Sequence, residues 1–98
     1  MDNKDVDKLD KSNTIVYTIY WSQLKSQRLK RTRGVSFEEI IQAKLLAICQ
    51  HPSRKEQQIL IYEYHRYVWV VPFVVSKDSI FLKTIYPSRK YRNLYMKR

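Results

Sequence analysis

One glycine, one cysteine and three prolines among 98 residues exclude several kinds of protein. A collagen-like repeat needs glycine at every third position, and a flexible linker needs Gly, Ser or Pro in quantity. The lone thiol, Cys49, permits no internal disulfide and no cysteine-based zinc cage, and a reducing cytoplasm is the compartment that suits it. No apolar run reaches the roughly 18 to 20 residues that span a bilayer, because Arg66, Lys77 and Lys83 interrupt the best stretch, so no membrane partner is expected. The start, Met1-Asp2-Asn3-Lys4-Asp5, lacks the basic-then-apolar profile of a secretory signal, and none is expected. There is no Gly-rich phosphate loop, no carboxylate cluster suited to two metal ions, and no Ser/His/Asp or Cys/His set at a favourable spacing. Neither a metal nor another cofactor is expected. Internal repeats and low-complexity segments are missing as well. Acid is scarce: nine Asp+Glu face nineteen Lys+Arg, and none follows Asp78.

What is there in excess is positive charge. A net +10 on so short a chain calls for a polyanionic partner. With 44% hydrophobic residues the chain is too apolar for wholesale disorder, and its length suits one core. The first thirteen residues set Asp2, Asp5, Asp7 and Asp10 against Lys4, Lys8 and Lys11 and read as a mobile tail. Residues 14–98 form a single domain that holds sixteen of the nineteen basic residues and five of the nine acids. Two stretches concentrate the charge: Lys25, Arg28, Lys30, Arg31 and Arg33, then Arg89, Lys90, Arg92, Lys97 and Arg98.

Thr14 to Trp21 is rich in β-branched and aromatic residues and predicts a first strand. Residues 24–32 predict a short basic helix, with Gly34 just beyond it at the left-handed C′ position. Ser36-Phe37-Glu38-Glu39 has capping-box spacing and opens a second helix over 36–44, with Phe37, Ile40 and Ile41 inward. Leu45 to Cys49 either extends that helix or starts a strand, and Pro52 stops both. Three strands follow, 59–64, 67–75 and 80–86, separated by turns short enough to make them an antiparallel meander. The middle run is apolar on both faces, so it is central and covered twice, with Pro72 imposing a bulge or a missing ladder bond. Alternation places Lys83 with Phe81 and Ile85, and Thr84 on the opposite face. A last basic helix spans 89–97. The fold class is therefore α+β, a small antiparallel sheet (meander 59–86 plus the N-terminal strand) packed by two N-terminal helices, with a short basic C-terminal helix.

Several of these residues, in this order, resemble a known family. Tyr20-Trp21, then Lys25, Leu29 and Arg33-Gly34-Val35-Ser36-Phe37-Glu38-Glu39, is similar to the opening of BrnT-type toxins. The closing Phe81-Leu-Lys-Thr-Ile-Tyr-Pro-Ser-Arg-Lys90 resembles that family's last strand and its Pro-Ser-Arg turn. The resemblance covers roughly residues 18–92. Three departures stand out: Ser22 replaces an acid after the tryptophan, Gln57-Gln58 stands where many members have arginine, and the hairpin tip is His65-Arg66 in place of Asn-Gly. The family consists of small ribonuclease toxins of bacterial type II toxin–antitoxin systems with a RelE-like fold. The resemblance implies metal-independent endoribonuclease activity on RNA or mRNA that inhibits translation and growth. It also implies a cognate antitoxin of ribbon-helix-helix type in a toxin–antitoxin hetero-oligomer.

Cleavage by the ribose 2′-hydroxyl needs cations around a phosphorus that gains negative charge and groups that move two protons. Lys25 matches the family's lysine after the tryptophan, and is otherwise one charge on a solvated helix face. Arg89 follows the Pro-Ser turn, where a guanidinium can grip a phosphate with two bonds and where the dipole of a helix start gives it no help. Lys83 stands on an apolar strand face, either snorkelling past the rim or working in a cleft. His51 is a titratable group before Pro52, as fit for a turn as for RNA; His65 at the hairpin tip reads as a surface residue. These considerations nominate Lys25, Arg89, Lys83 and His51 as catalytic, and Arg28, Arg33, Lys90, Tyr91 and Arg92 as RNA-binding. Tyr91 and Tyr95 otherwise anchor the last helix. Trp69 and Phe73 are assigned to the core, and Cys49 is read as a small buried hydrophobe. Lys25 and Arg89 are expected to share one concave surface, with Lys83 or a histidine near enough to share a phosphate. Two rival readings are a non-catalytic nucleic-acid-binding or regulatory module, and a protein whose charge serves an acidic protein partner.

Overall fold

The computed structural model describes residues 16–96, so the segment 1–13 and the basic Lys97 and Arg98 lie outside the described residues. The elements, in chain order, are β1 (Thr18–Tyr20), α1 (Gln23–Arg33), α2 (Phe37–Ile40), β2 (Lys44–Gln50), β3 (Gln58–Tyr64), β4 (Tyr67–Ser76), β5 (Ser79–Leu82), β6 (Tyr86–Pro87) and α3 (Arg89–Tyr95). The strands form one sheet in the order β1-β5-β4-β3-β2, and β6 pairs with the first half of β4. The pairs β2–β3, β3–β4, β4–β5 and β4–β6 are antiparallel, as expected of a meander. β1 lies parallel to β5, which makes the sheet mixed.

α1 follows its local signals. Ser22 caps its N-terminus, and Gly34, at φ 83°, takes the left-handed C-cap that a side chain would make costly. α2 corrects the expected helix 36–44. The capping box at Ser36 and Glu39 forms, but one turn later the chain leaves the helix at Ile41. The ladder with β3 claims the next segment, turning Ala47 and Cys49 inward and leaving Ile48 exposed; this pairing outweighs the helical spacing that runs on past Ile41.

Each face of β4 is covered. On one side Leu29 of α1 and Phe37 and Ile40 of α2 pack with Tyr62, Val71, Phe73, Leu82 and Ile85. On the other, Ile59, Ile61, Val68 and Val70 are buried beneath Tyr91 and Met96 at α3. Phe73 is buried in the core as assigned, and Trp69 is half-buried beside it, its indole N–H donating to the Tyr64 carbonyl at 3.2 Å. Cys49 is half-buried against the second cluster.

Pro72 breaks the third expected strand, 80–86, into β5 and β6. Within a strand a residue's N–H and C=O point toward the same neighbour, and the Pro72 carbonyl accepts from Lys83 N at 2.8 Å. The donor that proline lacks is therefore missing on the β5–β6 side, while the β3–β4 register runs through Pro72 without a shift. Between Phe73↔Leu82 and Val70↔Tyr86 the register slips by one residue, a bulge over 83–85.

The hairpin at His65-Arg66 takes the two positive φ angles of a type I′ turn, 51° and 63°. Neither residue adopts that region cheaply. Arg66→Gly is expected to raise unfolding free energy by about 0.5–1 kcal/mol in urea titrations. A loss of stability would show that the Arg66 side chain holds the turn.

Candidate functional site

The bulge beside Pro72 opens a cleft of about 380 Å³ lined by Lys25, Arg54, Gln57, Pro72, Lys83, Thr84 and Tyr86. Lys25 is half-buried, and its place is set by the helix start: its backbone N–H donates to Ser22 Oγ at 3.1 Å. The tryptophan before that cap, Trp21, packs against Phe37 at 6.0 Å between ring centroids, which ties the entry of α1 to the core. Ser22 thus caps the helix that carries Lys25.

Arg54 comes from the loop between β2 and β3. His51 Nδ1 accepts from the backbone N–H groups of Ser53 and Arg54, each at 3.1 Å. Gln57 N donates to the Arg54 carbonyl at 3.1 Å, and Gln50 Nε2 donates to the Lys55 and Gln57 carbonyls at 2.9 and 3.0 Å. His51 is therefore engaged in holding the backbone of Arg54, and it is not among the residues that line the cleft.

The bulge also corrects the expected alternation after Leu82. Ile85 joins Leu82 in the core beneath α1 and α2, whereas Lys83, Thr84 and Tyr86 all line the cleft. Lys83 Nζ stands 5.7 Å from the Phe81 ring centroid. Burial, with the Tyr91 phenol nearby as the lesser cause, pushes the Tyr86 phenol above its ordinary range, so it keeps its proton.

No carboxylate among the described residues lines this cleft. Among the described residues the ion pair is Lys30 with Glu39 at 2.8 Å, which lies elsewhere, so Lys25, Arg54 and Lys83 have no acidic partner there. Three cations that no carboxylate of the described residues offsets, on one concavity, make a site for an anion.

The other nominated residues lie apart from it. Arg89 is the exposed first residue of α3 and is absent from the lining, where Lys25 and Lys83 both stand. Lys90 and Arg92 are exposed on α3, over the rings of Tyr91 and Tyr67 at 5.4 and 5.5 Å. Tyr91 is half-buried and anchors α3 on the sheet. Arg28 is exposed on α1. The Arg33 guanidinium donates to the Ile85 carbonyl, a tie between α1 and the bulge.

Sequence reasoning passes over Arg54, Gln57, Thr84 and Tyr86 as cleft residues. For Gln57 a signal exists: it continues the alternation of the buried Ile59 and Ile61 one step beyond the strand. Arg54 has none, because only the closed loop places it.

The molecule is thus an α+β domain whose mixed sheet carries a cationic cleft. Its fold is similar to that of the Brucella abortus ribonuclease toxin BrnT, known from a crystal structure at 1.1 Å resolution. The two chains share 19% identity, the similarity covers 74% of this chain and 97% of that one, and the TM-score is 0.49. No family model and no curated protein matches the chain. Among the described residues no helix is long and apolar enough to cross a membrane.

Proposed function

We propose that the chain is the RNA-cleaving toxin of a type II toxin–antitoxin pair and that it acts in the cytoplasm without metal. One observation carries the reading: Lys25, Arg54 and Lys83 line one cleft beside the Tyr86 phenol, with no carboxylate among the described residues there. The resemblance of the blocks 20–39 and 81–90 to BrnT-type toxins points the same way. A phosphodiester in the cleft has its non-bridging oxygens among the three cations, which stabilise the phosphorane as the 2′-oxygen bonds to phosphorus and gives up its proton to solvent. The bond to the 5′-oxygen breaks, and Tyr86, still protonated, is the neutral donor for that leaving oxygen. Arg89, Lys90 and Arg92 on α3, with Arg28 on α1, serve as phosphate contacts along the flanking strand. An antitoxin of ribbon-helix-helix type inhibits by covering the cleft.

A second reading, a non-catalytic RNA-binding module, is favoured by a lining that holds no imidazole or carboxylate among the described residues. One experiment separates the two. Incubated with single-stranded RNA in excess EDTA, the protein is expected to yield fragments ending in 2′,3′-cyclic phosphate and 5′-hydroxyl. Its affinity for RNA is expected to fall roughly tenfold or more between about 50 and 200 mM salt, as counterion release requires for three or more phosphate contacts. Salt-dependent binding that leaves the RNA intact selects the binding module. Binding that stays flat over that range overturns both.

A further inference from the structure

We infer that Gln57 selects the nucleobase held in the cleft, dividing amino bases from keto bases. The inference rests on the RNA reading of the same site. Gln57 is only 9% exposed, and its side-chain amide has no hydrogen-bond partner among the described residues. Its backbone is fully occupied: the N–H donates to Arg54, and the carbonyl accepts from His51 N and Gln50 Nε2. The side chain is therefore positioned by a closed loop, nine-tenths withdrawn from water, and left with two donors and an acceptor facing the cleft. A buried amide without partners is costly, so this one is poised for a ligand that satisfies it.

Phosphate is a poor candidate for that ligand. It accepts hydrogen bonds but donates none at neutral pH, so the amide carbonyl would stay unpaired, and Lys25, Arg54 and Lys83 already serve an anion in the same cleft. A base edge offers donor and acceptor side by side, which is what an amide pairs with. Adenine and cytosine carry an exocyclic amine next to a ring acceptor, whereas guanine and uracil carry a carbonyl next to a ring N–H. The cations that share the cleft favour the amide orientation that turns the oxygen toward them, and an amide held in one orientation matches one of these arrangements and opposes the other. The phosphate is then gripped by the cations while Gln57 reads a base beside it, the division of labour between positioning and specifying contacts.

The test uses two pools of 2′-O-methyl RNA octamers, which the 2′-oxygen cannot attack: one built only from A and C, the other only from G and U. Wild-type protein is expected to bind one pool about tenfold or more tighter than the other. Gln57→Ala and the similarly sized Gln57→Met are expected to bind both pools equally, at the affinity of the weaker, with thermal melts confirming that each is folded. Lys25→Ala is expected to weaken both pools by the same factor and to keep the preference. Equal binding of the pools by wild type, or a preference that survives in a folded Gln57 variant, overturns the inference while leaving the RNA reading intact. Failure to bind either pool at low salt overturns the RNA reading and this inference with it.

Discussion

Lys25→Ala and Lys83→Ala are each expected to slow RNA cleavage at least a hundredfold under single-turnover conditions. A positioned charge that meets the phosphorane is worth about 3 kcal/mol in the transition state, on the scale of a lost oxyanion donor. In the ground state the same side chain makes one phosphate contact among several, so binding suffers far less, and the salt slope falls by only about 0.7 for a single strand. Neither side chain holds up the fold: Lys83 is exposed, and what ties Lys25 to its helix start is its backbone N–H. Arg89→Ala serves as the contrast. It removes an exposed charge outside the cleft and is expected to lower affinity several-fold with little further loss in the chemical step. A double variant lacking both lysines that still cleaves at the wild-type rate would remove the cleft from the mechanism altogether.

Phe37→Ala is expected to cost about 3–5 kcal/mol of unfolding free energy, read as a lower urea midpoint at unchanged slope. Phe37 is fully buried, lies against Trp21, and donates its backbone N–H to the buried Ser26 hydroxyl at 2.9 Å. That hydroxyl donates in turn to Glu38, so the one ring sits where α1, α2 and the sheet meet. Small domains hold only about 5–15 kcal/mol in total, and the variant is expected to be close to unfolding at physiological temperature. A loss below about 1 kcal/mol would mean that α2 repacks to fill the space.

Features coded by neighbouring residues are legible in the sequence itself. The left-handed Gly34, the capping box at Ser36, the two-residue hairpin and the doubly covered β4 each follow from residues a few positions apart. The extent of α2 is not legible, since Leu45 to Cys49 suits a helix as well as a strand and only pairing with β3 decides. Nor is the parallel seat of β1, which depends on where a distant strand presents its edge. In the candidate site, Lys25 and Lys83 are legible and come together. Arg89 is not among the residues that line the cleft, and the alternation counted from Ile80 through Tyr86 misplaces Thr84 and Ile85 because it takes no account of the bulge opposite Pro72.

That bulge fixes spacing more tightly than it fixes identity. Lys83, Thr84 and Tyr86 reach the cleft, and Ile85 reaches the core, only because one extra residue lies between the two paired stretches. Substitutions at 83 and 84 change what the cleft contains. Loss of a single residue from 83–84 would instead restore the ladder's phase with Tyr86 still opposite Val70 and Ile85 still in the core, and would take one side chain away from the cleft. The length of this segment therefore sets how many side chains the cleft receives, whichever residues occupy it.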